Sequence, residues 1–337
     1  AFGHLALTSN TSGDGNVAVG YHSLYSNLTA NNNVAMGYEA LKANTTGGSN
    51  TALGFRSLYT NDNGASNVAT GNHTLFSNTS GSNNVANGRE ALYSNTTGGS
   101  NIATGYRALY NNTTGLRNVA IGPEALFDNT TGGFNIAIGY RALLNATNAS
   151  FNIAIGRAAL KFNTSGNKNV AIGYSAMDQN TTGFQNTAIG HEALYKNQSG
   201  IRNSALGFWA LKFNTTGDEN TATGSRSLEQ NTTGENNTAT GYMSLFSNTD
   251  GNNNTSYGYQ AGHGNETGDN NTNYGYQAGF LNETGNANVY LGYLAGRNYI
   301  TESNQLVIGN SATSELIYGE FDNEIIKLNA AVTTTKA

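Results

Sequence analysis

"NVAMGYEALKANTTGGS", residues 33–49, is followed at once by "NTALGFRSLYTNDNGAS", residues 50–66, and the two agree wherever spacing matters. Each opens on Asn, then places Ala, Gly, Leu and a second Asn at the same intervals. Extended along the chain, the phrase sets nineteen glycines at a spacing of 17, from Gly3 to Gly309, without an insertion or a deletion. A fixed short period is the signature of a solenoid, in which each repeat packs only on its neighbours. Seventeen residues are too few for a helix pair, and no heptad pattern runs through them.

The half-phrase N-x-A-x-G alternates small and β-branched residues as a strand does, for example "NVAIG" at 118–122. The following Y-x-A-L predicts a second short strand or a tightly wound corner, too short for an isolated helix. N-T-T-G then supplies a turn, because Asn and Gly tolerate left-handed backbone. A single coil cannot bury its apolar face, so coils must stack. The sequence therefore predicts an all-β fold, a parallel β-solenoid (β-roll) of 17-residue coils. About eighteen repeats would occupy 1–312, with a variant coil type from about 254, where the Leu column becomes Gly262, Gly279 and Gly296 and the Ala column becomes Ser256, Asn273 and Tyr290. A C-terminal β-hairpin, capping or linking, would occupy 313–337, its strands in "ELIYGEFDNEIIKLNA" meeting at Asp322 and Asn323.

Stacking superposes equivalent residues, so each column has one job. Ala two before the glycine (Ala120, Ala137, Ala154) and Leu four after it (Leu126, Leu143, Leu160) are the expected core, and Gly122, Gly139 and Gly156 are the repeat glycines. A further apolar column, Val119 with Ile121 and Ile136 with Ile138, turns polar at Thr70, Asn87, Thr104, Thr223 and Thr240. A dry interior tolerates that poorly, whereas an interface shared between copies of the chain would accommodate it. Two Asn columns read as hydrogen-bonded ladders that close the turns. Members of the second, including Asn44, Asn95, Asn129, Asn180 and Asn231, open N-x-S/T sequences and are candidate N-glycosylation sites. In "NIAIGYRALLNATNAS", 135–150, that column is broken by Ala146 with no change of length; a slip of one residue would turn the following side chains inside out.

Two places after the glycine, charge alternates through Glu90, Arg107, Glu124 and Arg141, with Glu39 beside Arg56, which reads as a register device. Paired threonines such as Thr45 with Thr46 and Thr96 with Thr97 raise ice binding, but they lie on a turn and are interrupted at Asp62, Asn63, Gln198, Glu266 and Glu283. Tyr21, Tyr38, Tyr106, Tyr140, Tyr174 and Tyr242 form part of a face that could hold glycans.

Composition bounds what remains. Of 337 residues 11% are charged, the net charge is -5, and there is no Cys. Without basic runs there is no footprint for nucleic acid, and no apolar run suits membrane insertion. The five histidines, His4, His22, His73, His191 and His263, are never set beside a fixed acid, so no catalytic constellation, cofactor site or metal site is expected and the chain is not read as an enzyme. The sequence opens within a repeat, which reads as a segment of a longer polypeptide.

The "NVAIG" and "NIAIG" phrases resemble the repeats in YadA-like heads of trimeric autotransporter adhesins. The "GYQAG" coils followed by "LIYGEFDNEIIKLNA" are more similar still to tail-fibre proteins of the type that precedes a chaperone-of-endosialidase domain. The resemblance implies a left-handed homotrimer, extracellular on a cell surface or virion, that acts as a rigid spacer and contacts adjoining modules and cell-surface glycans. The 17-residue period is longer than the usual coil of the adhesin heads.

Overall fold

The computed structural model describes residues 1–329 and falls into two compact units, one of residues 1–175 with 180–182, the other of 176–179 with 183 onward. No helix occurs among the described residues. The first unit carries ten strands of three residues, one every 17 residues, from β1 (Val17–Val19) to β10 (Val170–Ile172). Neighbours pair in parallel and in strict same-column register: Ala120 lies opposite Ala137, and Ala137 opposite Ala154. The second unit continues the pattern from β11 (Thr187–Ile189) to β17 (Val289–Leu291), then adds a longer parallel strand, β18 (Gln305–Gly309). β19 (Glu315–Glu320) runs antiparallel along β18, and β20 (Ile325–Leu328) antiparallel along β19. The hairpin thus lies along the edge that β18 would otherwise expose. The remainder of the predicted C-terminal segment, 330–337, lies outside the described residues.

Only one segment per coil is a strand. Y-x-A-L is the wound corner, and its backbone explains why: the residues two and four after the glycine are left-handed, as at Arg141 (φ 57°) and Leu143 (φ 51°). A third left-handed residue sits at the far turn, as at Phe134 and Phe151 (both φ 61°). Left-handed backbone costs a side-chain-bearing residue about 1–2 kcal/mol. In return the corner sends the Leu side chain inward, where the column from Leu24 to Leu211 is fully buried. Ala120, Ala137, Ala154, Leu126, Leu143 and Leu160 all have zero exposure, and they are joined there by a second Ala column, Ala125, Ala142 and Ala159. The repeat glycines are fixed by approach as well as by φ. A Cβ on Gly139 (φ 129°) would stand 2.6 Å from the carbonyl oxygen of Gly156.

In the last coils large and small residues change places. Tyr290, in the Ala column, is fully buried against Ala278, Ala295 and Val307, with Tyr299 and Tyr318 packed outside them. Gly296 (φ 60°), in the Leu column, leaves the space; a Cβ there would run into the Tyr290 ring. The same exchange relieves the left-handed corner of its Leu.

Candidate functional site

The solenoid interior is half polar. Asn16, Asn33 and Asn50 begin one ladder: the backbone N–H of Asn33 donates to Asn16 Oδ1 (2.9 Å), that of Asn50 to Asn33 Oδ1 (2.8 Å), and Asn33 Nδ2 donates to Gly47 O (3.0 Å). The second ladder runs through side chains. Asn95 Nδ2 donates to Asn78 Oδ1 (2.8 Å) and to its own coil's Gly98 O (2.9 Å), and Asn112 Nδ2 donates to Asn95 Oδ1 (2.7 Å). Amides stacked one per rung satisfy each other in the manner buried polar groups require.

This placement bears on the glycosylation candidates. Asn44, Asn95, Asn129, Asn180 and Asn231 are all fully buried, and the Nδ2 to which a glycan would be joined donates inside the ladder in every one. The folded rung offers none of these nitrogens for modification, because the Asn that opens the sequon is also the Asn that fills the interior. The ladder is interrupted at Ala146: Asn129 Oδ1 is left buried without a donor, and Asn163 Nδ2 keeps its bond to Gly166 O (2.9 Å).

A third ladder, not apparent from the repeat phrase, lies at the far turn eleven residues after each glycine. Where that residue is Asn, Asp or Ser, its side chain accepts the backbone N–H of its counterpart one coil earlier. Asn31 accepts from Asp14 (2.7 Å), Asp218 from Ile201 (2.7 Å), Asn252 from Glu235 (2.8 Å) and Asp269 from Asn252 (2.6 Å). Sequence comparison conceals it because the position also holds Gly, Ala, Leu, Phe, Ile and Glu, and only an acceptor oxygen is common to the Asn, Asp and Ser that make the bond.

Outside, charge and aromatic columns line the wound corner. Arg56 Nε lies 2.8 Å from Glu39 Oε2, Arg107 Nε 2.6 Å from Glu90 Oε2 and Arg141 Nε 2.7 Å from Glu124 Oε2. Each Arg reaches back one coil, so the alternation makes discrete pairs. Lys42 and Arg89 add second cations to Glu39 and Glu90. Burial pushes the Glu39 and Glu90 carboxyls up, but hydrogen bonds from these cations outweigh it and hold both below the ordinary carboxylate value.

The aromatic rings are stacked in decks. Tyr21 and Tyr38 are 5.1 Å apart between centroids, Tyr242 and Tyr259 5.3 Å, and Tyr259 and Tyr276 5.2 Å, all nearly parallel. A second deck that the sequence reading passed over, Tyr59, Phe76, Tyr93, Tyr110 and Phe127, stacks at 5.1–5.2 Å. Tyr106 and Tyr140 are instead flanked by guanidinium groups of Arg107 and Arg141. Each of these rings thus has at least one face against a neighbouring ring or guanidinium group. The first threonine of each turn pair is likewise occupied: Thr96 Oγ1 donates to Thr113 O (3.0 Å) and Thr113 Oγ1 to Thr130 O (3.0 Å). A hydroxyl tied to the next rung is a fastener, and it is not free to order water.

The remaining face is the outer side of the strands. Its two columns contain no charged residue from β1 to β17, and many members are substantially exposed, among them Val17, Met36, Ile102, Ile121 and Leu206. The polar members that seemed ill-suited to a core, Thr70, Asn87 and Thr104, belong to this outward face. No family model matches the chain, and no curated protein and no solved structure is significantly similar to it.

Proposed function

We propose that the chain is a structural fibre or adhesin-like stalk segment, of the tail-fibre and YadA-like kind, that assembles as a left-handed homotrimer on a cell surface or virion and holds adjoining modules at a distance. Its action is mechanical. The observation that carries this reading is the uncharged, part-exposed outer face of the strands, which sets Val17, Met36, Ile102, Ile121 and Leu206 among threonines. Rung-to-rung hydrogen bonding supports it from the other side, since three ladders and the ring decks stiffen the stack without disulfides. Second-copy association through the strand face would bury Ile121, Ile138 and their column mates while leaving the charged corner in water. The hairpin at the C-terminal end, with Phe321, Ile326 and Leu328 exposed, is where an adjoining module would meet the chain.

The competing glycan reading through the Tyr columns is weakened by the stacking of the rings on their neighbours, and the ice-binding reading by the first threonine of each pair, which is tied to the next rung. Mass measurement in solution tests the proposal: a trimer at micromolar concentration is expected, and Ile138→Arg should dissociate it. A wild-type chain that stays a folded monomer would overturn the shared interface, and particle images by electron microscopy would place the segment along a fibre or exclude it.

A further inference from the structure

The far-turn bond is missing in several places, at Asn31 and Gly48, at Asn167 and Phe184 and at Asp218, and its longest interruption spans three consecutive coils. There Gly99 follows Ser82, Leu116 follows Gly99, and Gly133 follows Leu116. None of the backbone N–H groups of Ser82, Gly99 and Leu116 has an acceptor among the described residues. The same corner forms a groove of about 320 Å³ whose lining includes the hydroxyl residues Ser80, Thr97 and Ser100, the side chain of Leu116, and Arg117. Arg117 lies over the Phe134 ring (5.2 Å) and forms no ion pair among the described residues. Residues 79–83, 96–100, 113–117 and 130–134 contain no carboxylate.

The molecule itself shows what this position accepts. At Asp218 and Asp269 a carboxylate oxygen takes the equivalent N–H at 2.7 and 2.6 Å. Successive donors, a fixed guanidinium and no competing acid make an anion site of the same chemistry as a backbone nest. We propose that this groove binds the carboxylate-bearing sugar units of an acidic polysaccharide. The N–H groups, repeating at the rung spacing of about 4.8 Å, take successive carboxylate oxygens along the solenoid axis. Arg117 supplies the counter-charge, held in orientation by Phe134. Ser80, Thr97 and Ser100 exchange hydrogen bonds with sugar hydroxyls, and Leu116 covers a C–H face. The site is separate from the Tyr columns and does not depend on the spacer reading.

Calorimetric titration of the full chain with oligogalacturonate, its methyl ester and acetate tests this. The acidic oligomer should bind, with the ester and acetate each at least tenfold weaker. Gly99→Asp places the chain's own carboxylate over the Ser82 N–H, as at Asp218, and Arg117→Ala removes the counter-charge; each should weaken binding at least tenfold with unchanged melting. Were Gly99→Asp to unfold, Arg117→Ala on the exposed turn still decides. Absence of binding at millimolar oligomer, equal binding of the ester, or unchanged binding by Arg117→Ala would overturn the proposal. Acetate binding as tightly as the oligomer would assign the groove to free carboxylates and overturn the polysaccharide.

Discussion

Ala146 shows what one side chain does in a stacked interior. Its absent amide leaves Asn129 Oδ1 buried and unpaired, a situation that costs about 1–3 kcal/mol. Ala149, three residues on, stands where other coils have Gly, and its Cβ lies in the space an Asn carbonyl would enter. The coil of Ala30 shows that both fit: Asn44 Nδ2 still reaches Asn27 Oδ1, at 3.2 Å instead of the 2.7 Å from Asn61 to Asn44. Ala146→Asn should therefore stabilise the fold by about 1 kcal/mol, and addition of Ala149→Gly should recover the rest, as read from denaturant midpoints. Tyr290 carries the complementary lesson. Its hydroxyl is buried without a partner, and burial raises its pKa far above the ordinary tyrosine value. Tyr290→Phe should be neutral or stabilising by up to about 1 kcal/mol; a loss beyond that would reveal a partner for the hydroxyl.

At the scale of the element, the wound corner with its ion pairs predicts a pH dependence of definite sign. Glu39 and Glu90 have folded pKa values below the ordinary 4.5. Their contribution is therefore complete above about pH 4.5 and is lost as pH falls through the folded values. Glu90→Gln should remove part of the acid-side fall in melting temperature and leave the neutral-pH slope unaltered. Rung geometry makes a second prediction. Gly139→Ala, whose Cβ would press on the Gly156 carbonyl, should destabilise by about 3 kcal/mol, the upper range for a single residue. Deletion of one whole coil, residues 140–156, should cost less than deletion of one residue from it. The former keeps every column in register and the latter turns each following strand over; circular dichroism and melting would compare the two.

For the whole molecule, the same-register pairing means that each coil is held almost entirely by its two neighbours. Damage should then stay local: in Gly139→Ala, hydrogen exchange should accelerate at β8 (Ile136–Ile138) and adjoining strands while β1 keeps its protection. Global acceleration would show a cooperativity that nearest-neighbour packing does not provide. The sequence by itself determined the 17-residue coil, its stacking, the Ala and Leu columns and the first two Asn ladders, because a repeated chain carries many readings of each position and any column that packs must repeat. It also placed Glu39 with Arg56 and the large-for-small exchange at Tyr290. Only the tertiary structure decided that Y-x-A-L is a left-handed corner, that the Val and Ile columns face outward, that the sequon asparagines are sealed inside, and that the Tyr rings stack on neighbouring rings or guanidinium groups. These depend on which way a side chain points once the turns are wound, and a one-dimensional period does not encode direction. The third ladder and the Leu116–Arg117 groove stayed hidden for the opposite reason. There the bond is made only where an acceptor oxygen happens to stand, and residue identity varies too widely along the column to show it.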